Sequence, residues 1–200
     1  MPATVRQPQQ KRSLETKNKI LSSAYELFSE SGYYNVNTKD IAEHAGVSTG
    51  IVYGYFKNKK DILLDVLDMY LKEVFAPILE IISSMQQPVD FGFLISHIIE
   101  ATIETHIKNE NIHRTLHSLT GTDEDVRARF IDFEDEITLK ISDRLVEIGY
   151  NSLGVKEKVH FAMNVLQFYA HEYVYDKHDY IDYSLMKKTV NDCLIRIFTE

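Results

Sequence analysis

The side chains best suited to chemistry in this chain lie in residues 37–60, NTKDIAEHAGVSTGIVYGYFKNKK. Thr49, Gly50, Tyr53 and Gly54 share one face of a short helical segment and present hydroxyls, a ring and bare backbone, with no acidic side chain among them. Such a face suits a DNA groove, where an acid would repel phosphate and small residues let the backbone approach closely. Two glycines in a short helix cost about 1 kcal/mol each relative to alanine, so something other than helix stability retains them. Other chemistries have thinner support. His113 and His117 stand at i,i+4, a chelating interval, but no third ligand is identifiable, and pocket or surface polarity accounts for them equally; no metal is expected. No phosphate-cradling glycine loop, nucleophile elbow or paired cysteine motif occurs, so neither catalysis nor a cofactor is expected. The acidic runs Asp123, Glu124, Asp125 and Glu134, Asp135, Glu136 read as a helix-start bias and a solvated face.

The elements that must hold this face follow from its flanks. Ile41, Ala42 and Ala45 make the apolar side of one short helix, and Gly46 can leave it in the left-handed region. Val47 fills the corner, Ser48 is placed to cap the next helix, and Val52 with Phe56 forms its inward stripe. Asn37-x-x-Asp40 and Asn58-x-x-Asp61 both have the form of a capping box. The stretch therefore reads as a helix-turn-helix.

Residues 20–64 resemble the DNA-binding domain of TetR-family transcriptional regulators. The likeness rests on Ala24, Leu27 and Phe28, then Gly32-Tyr33, Thr38, Ile41-Ala42 and Ala45-Gly46-Val47-Ser48. It continues through Gly50, Tyr53, Tyr55-Phe56 and Lys57-x-Lys59, and Gly54 departs from the bulkier residue common in the family. The resemblance implies DNA contacts from Thr38, Lys39, Ser48, Thr49, Gly50, Tyr53 and Tyr55, with Lys57 and Lys59 on phosphate. It also implies a variable helical body that binds a small-molecule effector and whose last two long helices pair with a second copy, giving a homodimer on a double-stranded DNA operator.

Charge is distributed in keeping with that reading. The chain of 200 residues carries a net charge of -8, yet residues 1–60 hold nine Lys or Arg against five Asp or Glu, a net of +4; the remainder holds thirteen against 25, a net of -12. A basic amino-terminal module on an acidic body is expected where only one end meets phosphate. No apolar run is long enough to span a bilayer, the first residues lack the apolar stretch of a signal peptide, and a single Cys193 replaces the paired cysteines of secreted chains, so a cytoplasmic location and no membrane partner are expected. Cys193 itself, aligned with Val190 and Ile197, reads as packing.

The expected architecture is all-α: a flexible basic arm over residues 1–13, a three-helix helix-turn-helix domain over 14–60, and a helical effector-binding and dimerisation domain over 61–200, roughly nine helices in all. The first helix is expected from Thr16 to Gly32, where Lys17 and Lys19 sit unfavourably for the dipole unless phosphate lies near. A long apolar-faced helix after Lys60 is the expected connector, kinked or ended by Pro77. Further helices fall over 90–108, 109–119, 122–148, 156–175 and 185–197. The body is rich in amphipathic aromatics, which line pockets and also fill cores and dimer seams. The expected pocket lining is Tyr70, Phe133, Phe168, Tyr169, His171 and Tyr173. Two functional readings stay open: a repressor released from a palindromic operator by a small, largely apolar or aromatic ligand, and a regulator that answers to a protein or nucleotide partner. A helical enzyme is a remote third.

Overall fold

A computed structural model describes residues 6–200. Nine α-helices and one 3-10 turn make up the described residues, and no strand occurs among them. The helices are α1 (Arg6–Ser31), α2 (Thr38–His44), α3 (Thr49–Tyr55), α4 (Lys59–Ser83), α5 (Phe91–Lys108), α6 (Glu110–Leu119), α7 (Glu124–Glu147), α8 (Val155–Tyr175) and α9 (Tyr183–Thr199). The all-α expectation holds. Helix α1 starts at Arg6 and not near Thr16, so residues 6–13 of the expected arm are helical; residues 1–5 lie outside the described residues.

The helices fall into two compact units. The first takes in the described residues up to Tyr70 together with Asn111–Arg129, and the second takes in Leu71–Glu110 with Phe130–Glu200. The boundary expected at residue 60 is therefore displaced: the opening turns of α4, most of α6 and the start of α7 close over the helix-turn-helix. Ile20, Ala24 and Phe28 of α1 are fully sealed, with Ile62, Leu63, Val66 and Leu67 of α4 and Leu116 of α6. Each large apolar side chain so buried contributes about 1.5–3 kcal/mol. Helix α1 ends where Gly32 takes φ 76° and donates its N–H to the Phe28 carbonyl at 3.1 Å.

In the second unit α5 packs against α8 and α9, which also pack on each other. Ile99, Ile137, Leu145, Tyr169, Ala170 and Leu194 are buried there. Helix α4 is continuous through Pro77 and ends at Ser83, so Pro77 does not terminate it. Cys193 is exposed on α9 and is not a packing residue of this chain.

Candidate functional site

The helix-turn-helix is built by local hydrogen bonds that its sequence names. Asn37 Oδ1 accepts from the Lys39 and Asp40 amides at 2.9 and 3.1 Å, and Asp40 accepts from the Asn37 amide at 2.7 Å, a complete capping box at the head of α2. The second box is shifted by one residue. Asn58 accepts from the Asp61 amide at 2.9 Å, but Asp61 reaches back to the amide of Lys57 at 3.0 Å. Gly46 turns the chain at φ 63°, a conformation costly for any residue with a Cβ, and Ser48 Oγ caps the Ile51 amide at 3.3 Å. Val52 and Phe56 are buried, which fixes the rotation of α3 about its axis.

That rotation turns the opposite face of α3 outward. Tyr53 is 54% exposed, Gly50 and Gly54 are exposed, and Thr49 is half-buried. A Cβ built on Gly54 meets nothing within 4 Å, so nothing in the described structure requires glycine there. Ser48, Lys39 and Lys57 are exposed and Thr38 is half-buried. Tyr55 is half-buried, and its hydroxyl lies 3.1 Å from Ser13 Oγ of α1. Tyr55 thereby fastens the extended first helix to α3.

Lys59 departs from expectation. Its ammonium donates to the carbonyls of Tyr33 and Val36 at 2.9 and 2.7 Å and lies 4.1 Å from the Tyr33 ring centroid. Burial pushes its pKa below the ordinary lysine value, against the opposing pull of Asp40. Two of its three donors are thus committed to the 3-10 turn, and Lys59 clasps the fold where Lys57 stands in solvent. Lys17 is likewise not waiting for phosphate: it pairs with Asp65 at 2.6 Å, and with α1 starting at Arg6 it no longer sits in a first turn.

None of the six residues expected to line a pocket is on the lining of the cavity described below. In the first unit, buried Tyr70 hydrogen-bonds His113 Nδ1. In the second, Phe133 packs edge-on against Phe75 with centroids 5.2 Å apart, and Phe168 is 68% exposed. Tyr169 is buried and donates to the Tyr183 carbonyl at 3.4 Å, its pKa pushed up to about 12 by burial and neighbouring phenols. His171 faces Asp176 at 3.3 Å and Tyr173 packs edge-on against Tyr183.

A cavity does exist within the second unit, and it is mostly aliphatic, with Phe75, Phe91 and Phe198 also on its lining. Ile82, Leu94, Ile98, Leu145, Met163 and Leu166 are among its walls, with Thr102 and Gln167 its polar side chains. The space open to the centre of a water-sized sphere is about 60 Å³. One water takes roughly 10–15 Å³ on that measure, so the cavity holds a short file of waters and not a broad chamber. Sequence reasoning missed it because its walls repeat with the same helical spacing as ordinary core.

Comparison with known proteins bears on both features. Residues 20–66 match the model of bacterial regulatory proteins, tetR family. Over 64 residues the chain is 47% identical to the HTH-type transcriptional regulator HbdR of Aromatoleum sp. (strain CIB), covering 30% of this chain and 28% of that protein. Over 47 residues it is 45% identical to the fatty acid metabolism regulator protein of Bacillus subtilis (strain 168), covering 24% of each chain. These alignments take in about a quarter of each relative's length. The fold is shared with the fatty acid degradation regulator FadR of Bacillus halodurans at a TM-score of 0.62 and 21% identity, over 90% of this chain and 94% of that one.

Proposed function

We propose that this chain, whose residues 20–66 match the model of bacterial regulatory proteins, tetR family, is a homodimeric repressor released from a palindromic operator by a small apolar ligand. DNA binding and transcriptional regulation are the family's function. The observation that carries the reading is the outward, acid-free face of α3, held in register by the Asn37 and Ser48 caps and by the burial of Val52 and Phe56. Thr38, Lys39, Ser48, Thr49, Gly50 and Tyr53 are the proposed groove contacts, with Lys57 on phosphate and Tyr55 of α3 tied to Ser13 of α1 behind the face.

Ligand control is supported by the aliphatic cavity of the second unit, and two relatives named for fatty acid metabolism and degradation agree with an apolar effector. Helix α4 runs unbroken from Lys59 to Ser83 and contributes to both units, so a ligand that shifts its second half has a covalent route to the first. Self-association through α8 and α9 is supported by the apolar groups that a single chain leaves in water there, Phe161, Phe168 and Leu185.

Operator selection from a random duplex pool, followed by anisotropy titration of the selected site against salt, tests the reading. The expected outcome is a two-fold symmetric site and an affinity that falls steeply with salt concentration. Selection of no symmetric site, or binding indifferent to salt, would overturn it.

A further inference from the structure

The cavity of the second unit has a shape and a polarity that together define a ligand class, granted the reading above that it receives the effector. On α5 its lining runs from Phe91 to Thr102, and on α8 from Val159 to Gln167. At about 1.5 Å rise per residue the α5 span is about 16 Å. A volume equal to a few waters spread over that length is a tube.

The ends of the tube differ. At the Phe91 end the wall carries rings: Phe91 stacks on Phe198 with centroids 5.3 Å apart and meets Tyr150 edge-on at 5.2 Å. At the other end stand the cavity's two polar side chains. Thr102 is buried and spends its hydroxyl proton on the Ile98 carbonyl at 2.7 Å, which leaves the oxygen as an acceptor. Gln167 is half-exposed and faces the imidazole of His106, whose Nδ1 lies 2.8 Å from the Thr102 carbonyl. Burial lowers the His106 pKa, against the raising effect of the Thr102 carbonyl, so the ring is neutral at pH 7. No Lys or Arg lines the cavity. A carboxylate drawn into such a place loses its hydration without gaining a cation, whereas a neutral head can donate to Thr102 Oγ1 and accept from the Gln167 amide.

We infer that this tube takes an unbranched aliphatic chain of roughly twelve carbons, since C–C bonds of about 1.5 Å in zigzag advance about 1.3 Å each and need that many, with the head atom, to span it, ending in an uncharged hydrogen-bonding head, an alcohol or a primary amide, held at Thr102 and Gln167. The lining is mostly Ile, Leu and Met, with Phe75, Phe91 and Phe198 the only rings on it, so a flexible aliphatic chain meets more of the wall than a planar aromatic ligand does. The absence of a lining cation discriminates against fatty acids.

The test is calorimetric titration of the full chain at pH 7.5 with 1-dodecanol, dodecanamide, dodecanoate, 1-hexanol and 1-naphthol. The alcohol and the amide should bind one per chain, at least tenfold tighter than dodecanoate and than hexanol, with no heat from naphthol. Ala162→Leu, which adds volume at the wall, should weaken dodecanol at least tenfold, with circular dichroism confirming its fold. Gln167→Leu should cut the advantage of dodecanol over dodecanoate several-fold. The ligand series on the unaltered chain decides the matter even where a variant fails to fold. Preference for dodecanoate or naphthol that Ala162→Leu abolishes overturns this inference and keeps the cavity as an effector site. No binding by any of the five overturns the effector reading of the cavity as well.

Discussion

Tyr53 and Lys59 lie six residues apart, and their surroundings assign them opposite tasks. Tyr53 has no buried role, so Tyr53→Ala should leave the unfolding midpoint within error while changing base preference at one operator position by about 1–3 kcal/mol, read from competition with single-base operator variants. Lys57→Ala should weaken all duplexes alike and lower the salt slope by about one. Lys59→Ala should instead act on stability, because it removes two hydrogen bonds to the carbonyls of Tyr33 and Val36 and leaves those acceptors unpaired. A loss of about 1–3 kcal/mol in urea unfolding is expected. An unchanged midpoint together with a reduced salt slope would return Lys59 to the phosphate contacts. The sequence makes both lysines look alike, since a Lys-x-Lys pair after an aromatic does not say which ammonium turns back onto the chain. That distinction needs the 3-10 turn of residues 33–35 and the Val36 that follows it, whose carbonyls no periodicity announces as acceptors.

At the scale of helices, what is legible in the sequence is what local chemistry decides. The Asn37 capping box, the Gly46 turn and the Ser48 cap are each encoded within four residues, and the structure forms them as written. What fails is what depends on distant partners. Helix α1 continues back to Arg6, with Ser13 meeting Tyr55 far along the chain, although residues 1–13 have little apolar content. The body aromatics look like pocket walls because Tyr is amphipathic, yet their hydroxyls are used as ties: Tyr175 donates to the His106 carbonyl at 2.9 Å and Tyr183 to Glu172 at 3.0 Å. The start of α7 shows which of two local effects wins. Asp123 caps the Asp125 and Val126 amides at 3.0 and 3.2 Å and also pairs with Lys60 at 3.1 Å. An exposed ion pair contributes little, whereas loss of a cap costs about 1 kcal/mol. Asp123→Ala should therefore lower stability by about 1 kcal/mol, and Lys60→Met should leave it nearly unchanged. Burial raises the Asp123 pKa, but the hydrogen bonds from Lys60 and the Val126 amide outweigh it and hold the group below its ordinary 3.8. Its contribution is thus present above about pH 4 and lost as pH falls through its folded value. The stability gap between the unaltered chain and Asp123→Ala should close as pH falls below about 4.

The whole molecule joins a cationic DNA-binding end to an acidic remainder, and a single helix-turn-helix offers too few contacts for selective binding at physiological salt. Two copies on one palindrome remove that shortfall, because the second half-site is then engaged within one complex and the two free energies nearly add. The proposed pairing would use exposed apolar side chains of α8 and α9. Phe161 and Phe168 stand two helical turns apart on one face of α8, 52% and 68% exposed, and Leu185 on α9 is 61% exposed. Pairing of two copies through these helices would take such side chains out of water, at about 25 cal/mol per Å² of apolar surface covered. A charge at Phe168 would have to be buried unpaired in such a pair, so Phe168→Glu should shift sedimentation at micromolar concentration from dimer to monomer while leaving the circular dichroism of the chain intact. Operator affinity should fall by at least a hundredfold for the full palindrome and much less for an isolated half-site, since only the linkage between half-sites is lost. A monomeric Phe168→Glu chain that binds the full palindrome as tightly as the unaltered protein would sink the dimer model. One that stays dimeric would move the interface off this face of α8.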